Sequence, residues 1–244
     1  YLKMRGCSSI INQDTSLIAL RNIKKYRFYS VLNIAGLATG IAASLFIMLF
    51  VQDELSFDTF HKDAERVYRI ALIGKIGDQQ IETAVSSPPT GQAFCEEMPE
   101  VALSTKIYNL DNIVVRRQEQ LFTGQTAFFA DSNFFQMFSF KLLKGDPAKA
   151  LTEPNTLVLT EALATRYFGS EEPVGKMLAV GTDKTAYKVT GVLKERPENT
   201  HLPVEMLLSM EGFDFSRSDN WFSNSFYSYV KLVEGAGIIA YALV

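Results

Sequence analysis

Residues 30–51 read SVLNIAGLATGIAASLFIMLFV and contain no charged side chain. As an α-helix this run is roughly 33 Å long, enough to cross the ~30 Å hydrocarbon core of a bilayer. A helix of that length without a polar face is out of place on the surface of a soluble domain. A cleaved signal peptide also fits badly. The run exceeds the usual core of about 7–15 residues, and the exit FIMLFVQDEL has no small-x-small cleavage pattern. The segment therefore predicts a transmembrane helix, with the rest of the chain divided between two sides of a membrane.

Charge sets the orientation. Residues 1–29 hold Lys3, Arg5, Arg21, Lys24, Lys25 and Arg27 against Asp14, a net +5. The whole chain is −3, which leaves −8 for residues 30–244. Cytoplasmic flanks carry the excess of Lys and Arg, so the N-terminus is expected in the cytoplasm and the acidic body outside it.

Two features of the anchor point to partners. The upstream stretch SLIALRNIKKYRFYS mixes Leu17, Leu20 and Ile23 with basic residues. It reads as an amphipathic helix on the inner leaflet, with a plain topology-setting flank as the alternative. Arg21, Lys24, Lys25 and Arg27 are the candidate residues facing a cytoplasmic partner or the membrane surface. Within the span, Gly36 and Gly40 form a G-x-x-x-G step among Ala35, Ala38, Ala42, Ala43 and Ser44. Small residues let a second helix approach closely in lipid, although Gly and Ala are also common in membrane helices generally.

Residues 52–235 have the composition of a folded domain. Cys7 and Cys95 fall on opposite sides of the predicted membrane, so no disulfide framework is expected, and no N-x-S/T sequon occurs. Strands are expected at 67–73, 80–85, 101–108, 112–117, 120–122, 125–130, 140–143, 156–160, 177–180, 187–193, 207–210 and 226–232. Helices are expected at 90–98 and 161–168, with a short aromatic helix or turn at 133–138. Thr160 is placed to cap the helix at 161–168 and Gly169 to end it. The elements lack a regular βαβ rhythm, which predicts an α+β domain with mixed or antiparallel sheets.

Motifs for chemistry are weak. GSEEPVGKM at 169–177 has five residues between its glycines and Met177 where a phosphate loop needs Ser or Thr, so it reads as a helix stop and a turn. His61 and His201 have no metal-ligand spacing around them and read as structural or surface histidines. No G-x-S-x-G occurs. Glu96-Glu97 and Glu171-Glu172 read as solvated faces. An acidic extracytoplasmic domain is a poor nucleic-acid binder. No catalytic, metal or cofactor-binding residue is nominated.

Six blocks carry a family resemblance. IALRNIKKYRFYSVLNIAGLATGIAAS (18–44) and FDTFHKDAERVYRI (57–70) come first. SSPPTGQAFCEEMPEV (86–101), ADSNFFQMFSFKLLKGDPAKAL (130–151), NTLVLTEALATRYFGSEEPVGKML (155–178) and YKVTGVLKERPENTHL (187–202) follow. In this order they resemble the MacB/FtsX-like permeases of ABC transporters, particularly the large Bacteroidetes type.

The resemblance implies residues 1–29 as a cytoplasmic segment with an elbow helix, 30–51 as a span and 52–235 as a periplasmic core domain. It implies a porter-like lobe of split βαβ units and a smaller β-rich lobe. Residues 236–244 read as a truncated second span or a foreign tail, and the chain as an N-terminal fragment. The implied protein is a non-catalytic permease subunit in the bacterial inner membrane. Its implied partners are a cytoplasmic ABC ATPase, a second permease copy or paired permease, the lipid bilayer, and a periplasmic adaptor or substrate protein. The alternative is a single-pass anchored sensor or binding module.

Overall fold

The computed structural model describes residues 18, 21, 24–76, 78–195 and 199–236. Two compact units result, Tyr1–Phe57 and Asp58–Val244. Cys7, Leu17, Leu20, Ile23 and Pro197 lie outside the described residues, as do the two termini, 1–17 and 237–244.

The first unit is built on helix α1, Arg27–Ser56. It exceeds the expected 30–51 at both ends, because Arg27 to Tyr29 and Gln52 to Ser56 contain no helix breaker. At 30 residues it is roughly 45 Å long, the thickness of a bilayer with its headgroups. None of its residues is buried. Two of its polar side chains bond back to the helix: Thr39 Oγ1 donates to the Ala35 carbonyl at 2.8 Å, and Ser44 Oγ to the Gly40 carbonyl at 2.9 Å. Helical geometry ends at Phe57, and Asp58 takes a left-handed φ of 57°.

The second unit is α+β. Its elements are β1 Val67–Arg69, β2 Leu72–Ile76, β3 Gln79–Thr83, α2 Thr90–Glu97, β4 Val101–Arg117, β5 Gln120–Ala130, α3 Phe134–Met137, β6 Leu142–Lys144, β7 Thr156–Thr160, α4 Glu161–Phe168, β8 Met177–Val180, β9 Thr185–Leu193, β10 Met206–Ser209 and β11 Tyr227–Leu232. β2 and β3 form a separate hairpin, and the other nine strands form one sheet.

The sheet has two regions that share β4. In the first, β11 lies between β1 and β4 and is antiparallel to both. Strands β1 and β4 are thus parallel, with α2 between them in sequence and a foreign strand between them in space. That is a split βαβ unit. Met98, Val101 and Val230 are buried there, with Phe94 of α2 packed against them.

In the second region the pairings β4–β5, β5–β10, β10–β7, β7–β9, β9–β8 and β8–β4 close a ring of six strands. Ile113, Val115, Ala127, Leu157, Leu159, Leu178, Val180, Val189, Met206 and Leu208 form its core, joined by Leu163, Tyr167 and Phe168 of α4. Alternate residues of the same strands, Val158 and Leu207 among them, belong to a different cluster with Phe134, Met137, Phe138 and Tyr229. Both faces of β7 and β10 are therefore buried, which accounts for their unbroken apolar runs.

Several strand boundaries differ from expectation. The strand expected at 67–73 is two strands, because β1 pairs with β11 while β2 pairs only with β3. The breaks expected at 109–111 and 123–124 are absorbed into long strands. β4 shifts register between Leu110 and Ile113, and Gly124 supplies a φ of 82° within β5. The strand expected at 140–143 begins at Leu142, where pairing with Leu193 starts.

Candidate coupling site at the start of the domain

The domain opens with a segment tied down at three points. Asp58 is the first. Its backbone N–H donates to the Asn199 carbonyl at 3.0 Å, and Oδ1 accepts the Thr200 hydroxyl at 2.8 Å and the His201 N–H at 3.2 Å. Oδ2 faces His201 Nδ1, and His201 Nε2 lies 2.9 Å from the Tyr229 hydroxyl on β11. Burial would raise the Asp58 carboxyl, but hydrogen bonds from His201 and Thr200 outweigh it and hold the group below its ordinary value. Burial pushes the Tyr229 phenol up to about 12, so it stays protonated at neutral pH and can donate to the ring.

His61 is the second point. Its ring is buried beside Phe60, Phe138 and Phe140, with centroids 3.9, 5.3 and 5.5 Å away. Nδ1 accepts the Ser139 N–H at 3.0 Å, and the Lys62 N–H donates to Ser139 Oγ at 2.9 Å. Burial lowers the His61 pKa and keeps the ring neutral. Asp63 is the third. It accepts from Lys231 on β11 and, at 2.5 Å, from Arg66. Hydrogen bonds from Lys231 and then Arg66 depress its pKa to about 2.

These contacts reach the 199–201 connection, the chain after α3, and Tyr229 and Lys231 of β11. The Asp58–His201–Tyr229 series ties the first residue of the domain to the 199–201 connection and to β11. In the sequence His61 stands beside Asp63 and Glu65, and His201 near Glu205, while Asp58 stands near neither of its partners Thr200 and His201. The partners are far apart in the chain, and no local pattern announces them.

Other nominated residues are placed as follows. Arg21, Lys24 and Lys25 are helical and exposed, and Arg27 opens α1. Gly36 and Gly40 are one turn apart on α1, and nothing lies within 4 Å of where a Cβ would stand on either. Their shared face is open. The 169–177 segment is a turn: Gly169 takes a φ of 61°, and Glu171 pairs with Lys176 and Arg117. Glu172 pairs with Lys144. These two carboxylates are exposed, as a solvated face requires, and they are also ion-paired. Among the described residues no cluster of His, Cys, Asp and Glu could hold a metal.

The sequence profile of the MacB-like periplasmic core domain matches residues 30–240. The chain belongs to this family. MacB-like folds recur among solved structures. A permease-protein domain from Porphyromonas gingivalis is 23% identical, with a TM-score of 0.64, over 72% of this chain and 77% of that one. The periplasmic region of MacB from Actinobacillus actinomycetemcomitans is 14% identical, with a TM-score of 0.51, over 70% and 77%. No curated protein sequence matches the chain. For this MacB-like chain the resemblance carried by the six sequence blocks holds, and the mixed sheet with its N-terminal apolar helix is the fold it implied.

Proposed function

We propose that the chain is part of the permease subunit of a MacB/FtsX-like ABC transporter, anchored in the bacterial inner membrane with its N-terminus cytoplasmic and its core domain periplasmic. The observation that carries this reading is the family match over 30–240, which begins inside the apolar helix and runs through the sheet domain. In this reading the subunit hydrolyses no ATP. A separate cytoplasmic ATPase engages the basic segment around Arg21, Lys24, Lys25 and Arg27. A second permease copy packs on the Gly36–Gly40 face. A periplasmic adaptor or substrate protein receives the output.

Force travels along the chain. Helix α1 ends at Ser56, and Asp58, His61 and Asp63 fasten the residues that follow to the sheet. Motion of the helix end is then delivered to β11 and the 199–201 connection rather than lost in a slack linker. ATP-dependent work requires two arrangements with different partner affinities.

The test is co-expression with a candidate ABC ATPase of the same organism and purification in detergent. The reading expects a stable complex whose ATPase rate falls when Lys24 and Lys25 are both replaced by Glu. An ATPase that neither co-purifies nor responds to the permease contradicts it and favours a single-pass sensor.

A further inference from the structure

A cavity of about 540 Å³ opens beside the Asp58–His201–Tyr229 series, within the range of small-molecule sites. Its walls include Arg69 of β1, Tyr227 and Tyr229 of β11, Gly124 of β5, and His201 and Leu202. The Arg69 guanidinium lies 5.8 Å from the centre of the Tyr227 ring and against the Tyr229 hydroxyl. Tyr229 in turn meets His201 Nε2 at 2.9 Å, and the far side of that ring meets Asp58. Arg66, Arg117, Lys144, Lys176, Arg217 and Lys231 each have a carboxylate partner. Arg69, Arg116 and Arg166 have none within 4.0 Å among the described residues, and of these three Arg69 stands on the wall of this cavity. An arginine without a carboxylate partner, at the wall of a cavity, has guanidinium donors that can hold an anion. Gly124, at a φ of 82°, has nothing within 4 Å of where a Cβ would stand, so the cavity is open at that wall.

We propose that this cavity binds a monocarboxylate carried on an apolar or aromatic body, with Arg69 gripping the carboxylate. The planar guanidinium matches a carboxylate in two-pronged geometry. A single cation at this wall favours a monoanion over a phosphate dianion, which would face the nearby Asp58 charge with greater repulsion. Tyr227, Leu202 and Phe128 supply apolar wall for the body of the ligand. Such a carboxylate can come from a free organic acid or from the C-terminus of a polypeptide.

The full chain in detergent is titrated by calorimetry with 3-phenylpropionate, with 3-phenylpropionamide, and with N-acetyl-Ala-Phe bearing a free C-terminus. At least one of the two carboxylates is expected to saturate a single site and to bind tenfold or more tighter than the amide. Arg69→Gln should abolish that tenfold preference, and Arg69→Lys should retain part of it. Tyr227→Leu should weaken acid and amide alike. Tighter binding of the peptide identifies a chain terminus as the source, and equal or tighter binding of phenylpropionate identifies a free acid. Failure of both carboxylates to saturate, or equal binding of acid and amide by the unaltered chain, overturns the proposal. So does an Arg69→Gln variant with unchanged unfolding midpoint and undiminished preference for the acid.

Discussion

Asp58 and His201 stand 143 residues apart in sequence and share a carboxylate–imidazole pair. Asp58 comes two residues after the last residue of the apolar helix, and His201 leads into β10. The side chains are 25% and 37% exposed, so the pair is worth less than a buried one. Asp58→Ala also strands the Thr200 hydroxyl and the His201 N–H. A loss of about 1–2 kcal/mol is expected in denaturant unfolding of the chain, and a double-mutant cycle with His201→Ala should return a coupling energy of about 0.5–1 kcal/mol. The folded Asp58 carboxyl titrates below its ordinary value. Its contribution is therefore present above about pH 4, and lost as pH falls through the lowered folded value.

Asp131 works in the opposite sense. Its Oδ2 accepts the Lys106 N–H at 2.9 Å, while burial raises its pKa to about 6. The folded state then holds its proton more tightly than the unfolded state between about pH 4 and pH 6. Stability from this group falls as pH rises through that window, and the cost is fully present above it. Asp131→Asn keeps an acceptor for Lys106 and removes the charge. It should raise stability by about 1–2 kcal/mol at pH 7, after allowance for the lost attraction to the Lys106 ammonium, with the gain vanishing near pH 4. Unfolding curves of both proteins at pH 4 and pH 7 check this.

Gly145 and Gly175 separate two costs of adding a methyl group. Both have positive φ, 93° and 88°. A Cβ on Gly145 would stand 2.3 Å from the Thr190 carbonyl oxygen and 2.9 Å from Gly191 Cα, whereas nothing lies within 4 Å of one on Gly175. Gly175→Ala should cost about 1 kcal/mol for backbone conformation alone. Gly145→Ala should cost more than about 2 kcal/mol, because β6 and β9 must part. Equal midpoints for the two variants would contradict the close passage.

Gly36→Ile and Gly40→Ile together should impair helix assembly while leaving the sheet domain intact. Neither residue is enclosed in the isolated chain, where a Cβ added at either has nothing within 4 Å. Cross-linking in membranes should fall several-fold, with the unfolding midpoint of the sheet domain unchanged. Undiminished cross-linking would remove these glycines from any packing role.

Local grammar was readable where it was local. β7 and α4 occupy the residues expected of them because the signals lie within one turn. Thr160 Oγ1 accepts the Leu163 N–H, and Gly169 takes a φ of 61°. Residues 109–112, NLDN, look like a turn in isolation. Pairing with β5 on both sides of the irregularity carries the strand through them. The closing of the six-strand ring depends on β8 meeting β4, a long-range pairing without a sequence pattern of its own. The fastening of Asp58, His61 and Asp63 to the rest of the domain was hidden for the same reason, since His201, Ser139 and Lys231 each lie more than 70 residues away. The anchor was the clearest feature, because an uncharged run of that length has few other uses.

The account rests on α1 separating two compartments, and site-specific labelling in cells tests that directly. Cys7 and Cys95 are replaced by Ser, and a single cysteine is introduced by Lys24→Cys or by Phe222→Cys, the latter at a position 95% exposed. A membrane-impermeant maleimide is applied to intact spheroplasts. The Phe222→Cys protein should be labelled before lysis and the Lys24→Cys protein only after it. Labelling of both before lysis, or of Lys24→Cys alone, would contradict the topology and the transmission of force built on it.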